Sequence, residues 1–322
     1  MEKIKIDHLD ITIIRSCNLA FVGCITHSDH KNIKGVVRLN ESREWLKFWS
    51  DRLSPKSVTL FGGEPLLHPE FVDWAVTVKN LWNIRVSVNT NGYYLENLYA
   101  RIPEIFSLDT GINVVVSIQT GIEPYLSKVK NDIEILKQKI VDYHLSCPGV
   151  RKASWDLWLD ESAINSKKWY VLLVNDKNTG IGFTVCEQHS ISWTTHYTGI
   201  GETMQPVYQY NDSLYTSNHS FCQAKKFVTL YRGRLYKCPP IGVLEHTLTT
   251  FNLTKDPSWE PYLQEYKTVG TESTDEEIIT WLETQKNPEL VCNMCGYSGP
   301  KGSTVTPDQR SHVLKNYWNY TL

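Results

Sequence analysis

"SVTLFGGEPLLHPEFVDWAVTVKNLW" (57–82) reads as a strand, a glycine turn and a helix in immediate succession. "SVTLF" (57–61) is apolar and β-branched, which suits a strand covered on both faces. Gly62 and Gly63 follow it and let the backbone approach a ligand closely. "PEFVDWAVTVKNLW" (69–82) has helical spacing, with Pro69 at a tolerated first-turn position. Working upstream, "DITIIR" (10–15) is a first strand and "NESREWLKFWSDR" (40–52) a helix, with Asn40 as its cap and Trp45, Phe48 and Trp49 spaced for core packing. Downstream come "IRVSVN" (84–89), a helix near 95–106, "INVVVSIQ" (112–119) and a long amphipathic helix near 124–143. Two further units fall around 152–159 and 181–187, with "KKWYVLLVNDKNTG" (167–180) open between helix and strand. Repeated β-α units predict a parallel sheet. Six are too few to close an eight-fold barrel, so the fold class is α/β, an open partial (β/α)6 TIM-like barrel.

The texture changes near residue 205. "FVTLYRGRLYKCP" (227–239) alternates around an Arg-Gly turn and reads as a hairpin. "TDEEIITWLETQKNPE" (274–289) reads as a helix with a Thr274–Glu277 capping box and Pro288 past its end. The expected division is therefore 1–205 and a smaller, cysteine-rich α+β domain at 206–322.

A net charge of -2 over 322 residues gives no electrostatic case for nucleic acid or an anionic membrane as main partner. The first residues lack the apolar core of a secretory signal, and no run approaches a membrane span. A cytoplasmic, reducing setting is the expectation, in which eight cysteines read as free thiols, cluster ligands or metal ligands.

Cys17 and Cys24 lie in "RSCNLAFVGCITHSDH" (15–30), just after the first strand. Glu64 after the second strand can accept from an ammonium group; "NTNGYYL" (89–95) follows the third, and Ser117 with Gln119 ends the fourth. Four strand ends thus present polar groups where open α/β folds bind ligands. A second set is Cys222, Cys238, Cys292 and Cys295, from "CQAKKFVTLYRGRLYKC" (222–238) and "CNMC" (292–295). Four thiolates suit tetrahedral zinc or an iron-sulfur cluster. Cys147 and Cys186 read as inert small hydrophobes, and His68 as a turn-ordering residue. His27 and His30 are either solvated loop residues or substitutes for a thiolate at iron.

The order strand, "CNLAFVGC", strand, "GGEP", strand, "NTNG", strand, "SIQTG" resembles the radical S-adenosylmethionine superfamily, over about the first 120 residues. The resemblance implies a Cys-x3-Cys-x2-Cys loop binding three irons of a 4Fe-4S cluster, with S-adenosylmethionine on the fourth. Reductive cleavage would then give a 5'-deoxyadenosyl radical that takes hydrogen from a peptide or small-molecule substrate. It implies Cys17 and Cys24 as metal ligands. Gly62, Gly63, Glu64 and Pro65 would hold the methionyl amine, with Asn91 and Ser117 toward ribose and carboxylate. A reductant such as flavodoxin or ferredoxin is the implied partner. The second cysteine set is similar to the superfamily's twitch and SPASM extensions, implying an auxiliary 4Fe-4S cluster, with zinc as the alternative. The loop departs from the pattern at Phe21, which stands where the middle cysteine belongs and has no donor atom. Radical activity is therefore expected to be much reduced while the nucleoside site remains. The alternative is a non-catalytic relative that binds metal or nucleoside.

Overall fold

Residues 57–82 form what their pattern predicts. In the computed structural model β2 (Leu53–Gly62) leads through a short 3-10 turn into α2 (Phe71–Trp82). The structure describes residues 2–295 except 21–23, 31, 122, 161–165, 188–195, 208–218 and 221. The chain divides into two compact units, one made of 1–56 with 192–322 and the other of 57–191.

In the contiguous unit, α2 buries Phe71, Trp74, Ala75, Val78 and Trp82, a stripe at helical spacing. It stops where Asn83 takes a left-handed conformation, φ 51°. β3 (Val86–Thr90) and β4 (Ile112–Ile118) follow, with α4 (Tyr125–Leu145) after β4. The single helix expected near 95–106 is instead a 3-10 stretch, Leu95–Arg101, and α3 (Ile102–Phe106). Pro103 lies in the first turn of α3 and has no N–H to continue the preceding turn's bonding.

The sheet order in this unit is β2-β3-β4-β7-β6-β5, with β5 (Ala153–Asp160), β6 (Ser166–Val174) and β7 (Lys177–Glu187). Pairing is parallel from β2 to β7, through registers such as Val58↔Val86, Val88↔Val114 and Val116↔Val185. It is antiparallel across β7, β6 and β5. The expectation of six β-α units is corrected here, because the last two are a meander without helices. Asn175 and Asp176, at φ 48° and 61°, make the primed turn that returns β6 into β7.

In the other unit, β1 (Ile4–Ile14) pairs in parallel with β10 (Phe227–Tyr231), which pairs antiparallel with β11 (Arg234–Tyr236). β8 (Tyr197–Thr198) and β9 (Gln205–Pro206) form a two-residue ladder. The Arg-Gly turn is present, with Arg232 at φ 48° and Gly233 at φ 80°, and Trp49 Nε1 donates to Gly233 O at 2.9 Å. That tryptophan lies on α1 (Leu39–Arg52), whose cap position is Arg38. Asn40 is not the cap; it sits inside the first turn, where its Oδ1 accepts from Glu41 N. α5 (Pro239–Thr250), α6 (Glu260–Glu265) and α7 (Asp275–Thr284) complete the unit. The Thr274–Glu277 capping box is formed, with bonds in both directions.

The core of this unit gathers Met204, Leu244, Leu248, Trp259, Tyr262 and Met294, with Cys238 and Cys292 packed against it. Each large side chain of that kind stabilises by about 1.5–3 kcal/mol on burial. Trp49, Trp74 and Trp259 are fully buried, whereas Trp45 and Phe48, expected in the core with Trp49, are only half-buried. Among the described residues no helix is long and apolar enough to cross a membrane.

Candidate cofactor site

At the exit of β2, Gly62 and Gly63 are half-buried while Glu64 is wholly enclosed. Its carboxylate Oε1 accepts from Leu66 N at 2.9 Å and from Thr90 Oγ1 at 2.6 Å; Oε2 accepts from Asn91 N at 2.7 Å. Leu66 belongs to the turn after β2, and Thr90 and Asn91 to the exit of β3. Glu64 therefore ties two strand ends together. A carboxylate offers about four lone-pair positions, so one remains on Oε2. Burial pushes the Glu64 pKa up to about 7, against the pull of those three donors.

Asn91 is buried, its Oδ1 accepting from Tyr93 N at 3.0 Å. Tyr125, at the start of α4, donates to Asn91 O at 2.6 Å and accepts from Gln119 N at 3.3 Å, so the exits of β3 and β4 are braced as well. Ser117 on β4 is half-buried, and Gln119 Oε1 is buried with no hydrogen-bond partner among the described residues. Gly92 is at φ 80°, and a Cβ there would lie 2.7 Å from Val116 Cγ1 and 2.9 Å from Val129 Cγ1. Within this unit the structure thus gathers Gly62, Gly63, Glu64, Pro65 and Asn91, with Ser117 one strand away. Thr90 and Tyr125 were missed by sequence reasoning; the one available signal was Thr90 preceding "NG".

The cysteine loop belongs to the other unit. Its base is closed by an Ile14↔Val36 bridge and by Arg15 N donating to Gly35 O at 2.8 Å. Cys17 is buried, with Leu19 N donating to its Sγ at 3.4 Å. Cys24 Sγ lies 3.3 Å from Thr26 Oγ1, and His27 N donates back to Cys24 O at 2.9 Å. Arg15 is 1% exposed and organises the loop, donating to Thr26 O and to Thr247 Oγ1 on α5. Burial, then the Asp29 carboxylate, push the Cys24 thiol up. Asp29 is itself raised to about 7 by burial while accepting from Tyr197 Oη. Phe21 lies outside the described residues.

Hydrogen bonding separates the two loop histidines. Thr247 gives its one proton to Val243 O at 2.9 Å, so His27 Nδ1, 3.1 Å from Thr247 Oγ1, is the donor in that pair. The lone pair of His27 is then on Nε2, buried with no hydrogen-bond partner among the described residues. His30 is the other tautomer, since its Nδ1 accepts from Gly201 N at 3.1 Å. Neither is a solvated loop residue, for both are buried, and burial holds both pKa values low, His30 at about 4.

Cys238 stands at the cap position of α5, and Cys292 and Cys295 flank a 3-10 turn, with Cys295 N donating to Cys292 O at 3.2 Å. Burial pushes Cys238 well up, and the charges of Cys222, Cys292 and Cys295 add to the effect, which places four thiols in one neighbourhood. Lys237 is almost fully enclosed beside them, donating to Asn287 O at 2.8 Å and pairing with Glu289 at 2.6 Å. Among the described residues no three His, Cys, Asp or Glu side chains are arranged so as to hold a metal ion. Cys147 and Cys186 behave as expected of inert thiols: Cys147 Sγ donates to Tyr143 O, and Cys186 is buried in β7. His68 orders its turn by accepting from Glu70 N at 3.0 Å.

No family model and no curated protein matches the chain. Among solved structures it is similar to BtrN in complex with AdoMet and 2-DOIA, at 12% identity and a TM-score of 0.45 over 98% of this chain and 100% of that one. It is also similar to native anSMEcpe with bound AdoMet and Cp18Cys peptide, at 20% identity and a TM-score of 0.30. That match covers 42% of this chain and spans only 41% of the other's length.

Proposed function

We propose that the chain is a radical S-adenosylmethionine protein that keeps the nucleoside-binding strand ends and has a much reduced capacity for radical chemistry. The observation that carries the reading is Glu64, a buried carboxylate fixed by two strand ends with one lone pair to spare. That is the chemistry an ammonium group requires. Gly62 and Gly63 would receive the methionyl end, and Asn91 and Ser117 the ribose and carboxylate.

The donor set for a cluster in the first loop falls short. Cys17 and Cys24 are two thiols where the pattern calls for three, so the loop does not complete the donor set of a cluster. The second set has the larger number of soft donors, Cys222, Cys238, Cys292 and Cys295, although among the described residues no three of them are arranged so as to hold a metal ion. They would hold an auxiliary 4Fe-4S cluster or zinc, and a cluster would accept an electron or bind substrate. Burial pushes the Cys292 thiol up, and nearby Lys237 offsets part of that. In this reading 1–205 carries the nucleoside chemistry and 206–322 the second thiol set, with a peptide or small molecule as substrate and flavodoxin or ferredoxin as reductant.

Anaerobic reconstitution followed by iron and sulfide analysis tests the reading, with the chain compared against Phe21→Cys. The expected result is about four irons in the chain and about eight in the variant, with S-adenosylmethionine cleavage restored only in the variant. Equal iron and equal cleavage in both would sink the account of Phe21. A colourless chain with one zinc that binds S-adenosylmethionine without cleaving it, even as Phe21→Cys, would favour the non-catalytic relative.

A further inference from the structure

The end of β1 remote from Cys17 borders a groove of about 490 Å³ within the unit made of 1–56 and 192–322. Its floor is apolar. Ile4 and Ile6 project from one face of β1 by strand alternation, Phe227 and Val228 begin β10, and Ile279 and Leu282 lie one turn apart on α7. Ile279 is 45% exposed.

The rim is basic. Lys5, Lys56, Lys225, Lys226 and Lys286 border the groove, against Asp7 and Glu283. Asp7 is already paired with Lys56 at 2.5 Å and also feels Lys226. Lys5 is paired with Glu2 at 2.9 Å, so the excess of positive charge rests on Lys225, Lys226 and Lys286, a local concentration of cations in a chain of net charge -2. The ladder with β10 begins at His8↔Phe227, so beside Ile4 and Ile6 the border is the lysine-bearing 3-10 turn Gln223–Lys226.

Charge selects the occupant. The chain's own segment 296–322 carries Lys301, Arg310 and Lys315 against Asp308, so it does not complement the rim. We propose that the groove binds an acidic peptide in extended conformation, with alternate apolar side chains on the floor and carboxylates toward the lysines. Recognition by an extended segment with alternating pockets is a general mode. At about 3.3 Å per strand residue, β1 separates the groove from the Cys17 loop by on the order of 30 Å, so the site anchors a partner and does not touch that loop, while Cys222 directly precedes the lysine-bearing turn. The groove lies within one unit.

The test is fluorescence anisotropy of the full chain with a labelled ten-residue peptide of alternating Glu and Val. Saturable binding is expected, weakened about tenfold or more in Lys225→Glu/Lys226→Glu and by raised salt. Ile279→Ser weakens it about threefold or more, and a peptide with Gln in place of Glu binds as weakly as the double variant shows. Lys225, Lys226 and Ile279 are exposed, and the Gln peptide reads the charge term without altering the protein. Equal binding by the chain and the double variant would overturn the proposal. So would a single-stranded oligonucleotide that displaces the peptide at lower concentration, or self-association abolished by the same double variant.

Discussion

Replacing Glu64 by glutamine separates its charge from its shape. In the folded chain burial raises the Glu64 pKa from 4.5 to about 7, so the carboxyl keeps its proton to higher pH there than in the unfolded chain. Stability from this group is fully present below about pH 4.5 and is lost as pH rises through about 7. At 1.36 kcal/mol per unit the loss is about 3 kcal/mol. The amide in Glu64→Gln cannot ionise, so it has no such dependence. It brings a constant cost instead, because one of the three donors from Leu66, Thr90 and Asn91 must now face an NH2 group, about 1–3 kcal/mol for an orphaned buried donor. That offset is unaffected by pH and cancels in the comparison. Urea unfolding of both proteins from pH 4.5 to 8 should therefore show the original chain losing about 3 kcal/mol relative to the variant as pH rises. A stability difference that stays flat across this range would mean that Glu64 titrates alike in both states, and the account of a desolvated carboxylate would be wrong.

Gly92→Ala should destabilise by about 2–4 kcal/mol, from a left-handed conformation and the overlap of its Cβ with Val116 and Val129; a urea midpoint giving a loss below about 1 kcal/mol would refute that packing. His196 has a pKa lowered from 6.5 to about 4 by burial, so its contribution is whole above pH 6.5 and disappears as pH falls through about 4, about 3 kcal/mol in all. His196→Leu should accordingly flatten the acid limb of the stability curve below pH 6.5, and an unchanged limb by urea unfolding would contradict the assignment.

How much of this was legible in the sequence depended on the distance over which each feature is encoded. β2, α2, β3 and β4 were readable because buried parallel strands are β-branched runs and α2 carries its apolar stripe at helical spacing. The start of β1 was not. "IKIDHLD" (4–10) alternates charge with apolar residues because its first half is partly exposed, so it lacks the continuous run of "ITII" (11–14). The β5–β7 meander was misassigned as β-α units, although Asn175 and Asp176 are ordinary primed-turn residues, because an apolar run between charged ends fits either period. The spacing of Cys17 and Cys24, and of Cys292 and Cys295, was plain in the sequence, but among the described residues no three such side chains are arranged so as to hold a metal ion. The brace from Glu64 to Thr90 and Asn91 joins residues 26 and 27 apart in the chain, and no local pattern records it. The choice between His27 and His30 was equally hidden, for it depends on Thr247 and Gly201, far along the chain.

The pairing of β1 with β10 carries a consequence for biosynthesis. A ribosome finishes 57–191 as an uninterrupted stretch, which can collapse by itself while still tethered. Its companion has to wait, holding β1 without its β10 partner until Phe227–Tyr231 has emerged. A message truncated near codon 205 would therefore yield a protein with an open strand edge, a ready template for aggregation.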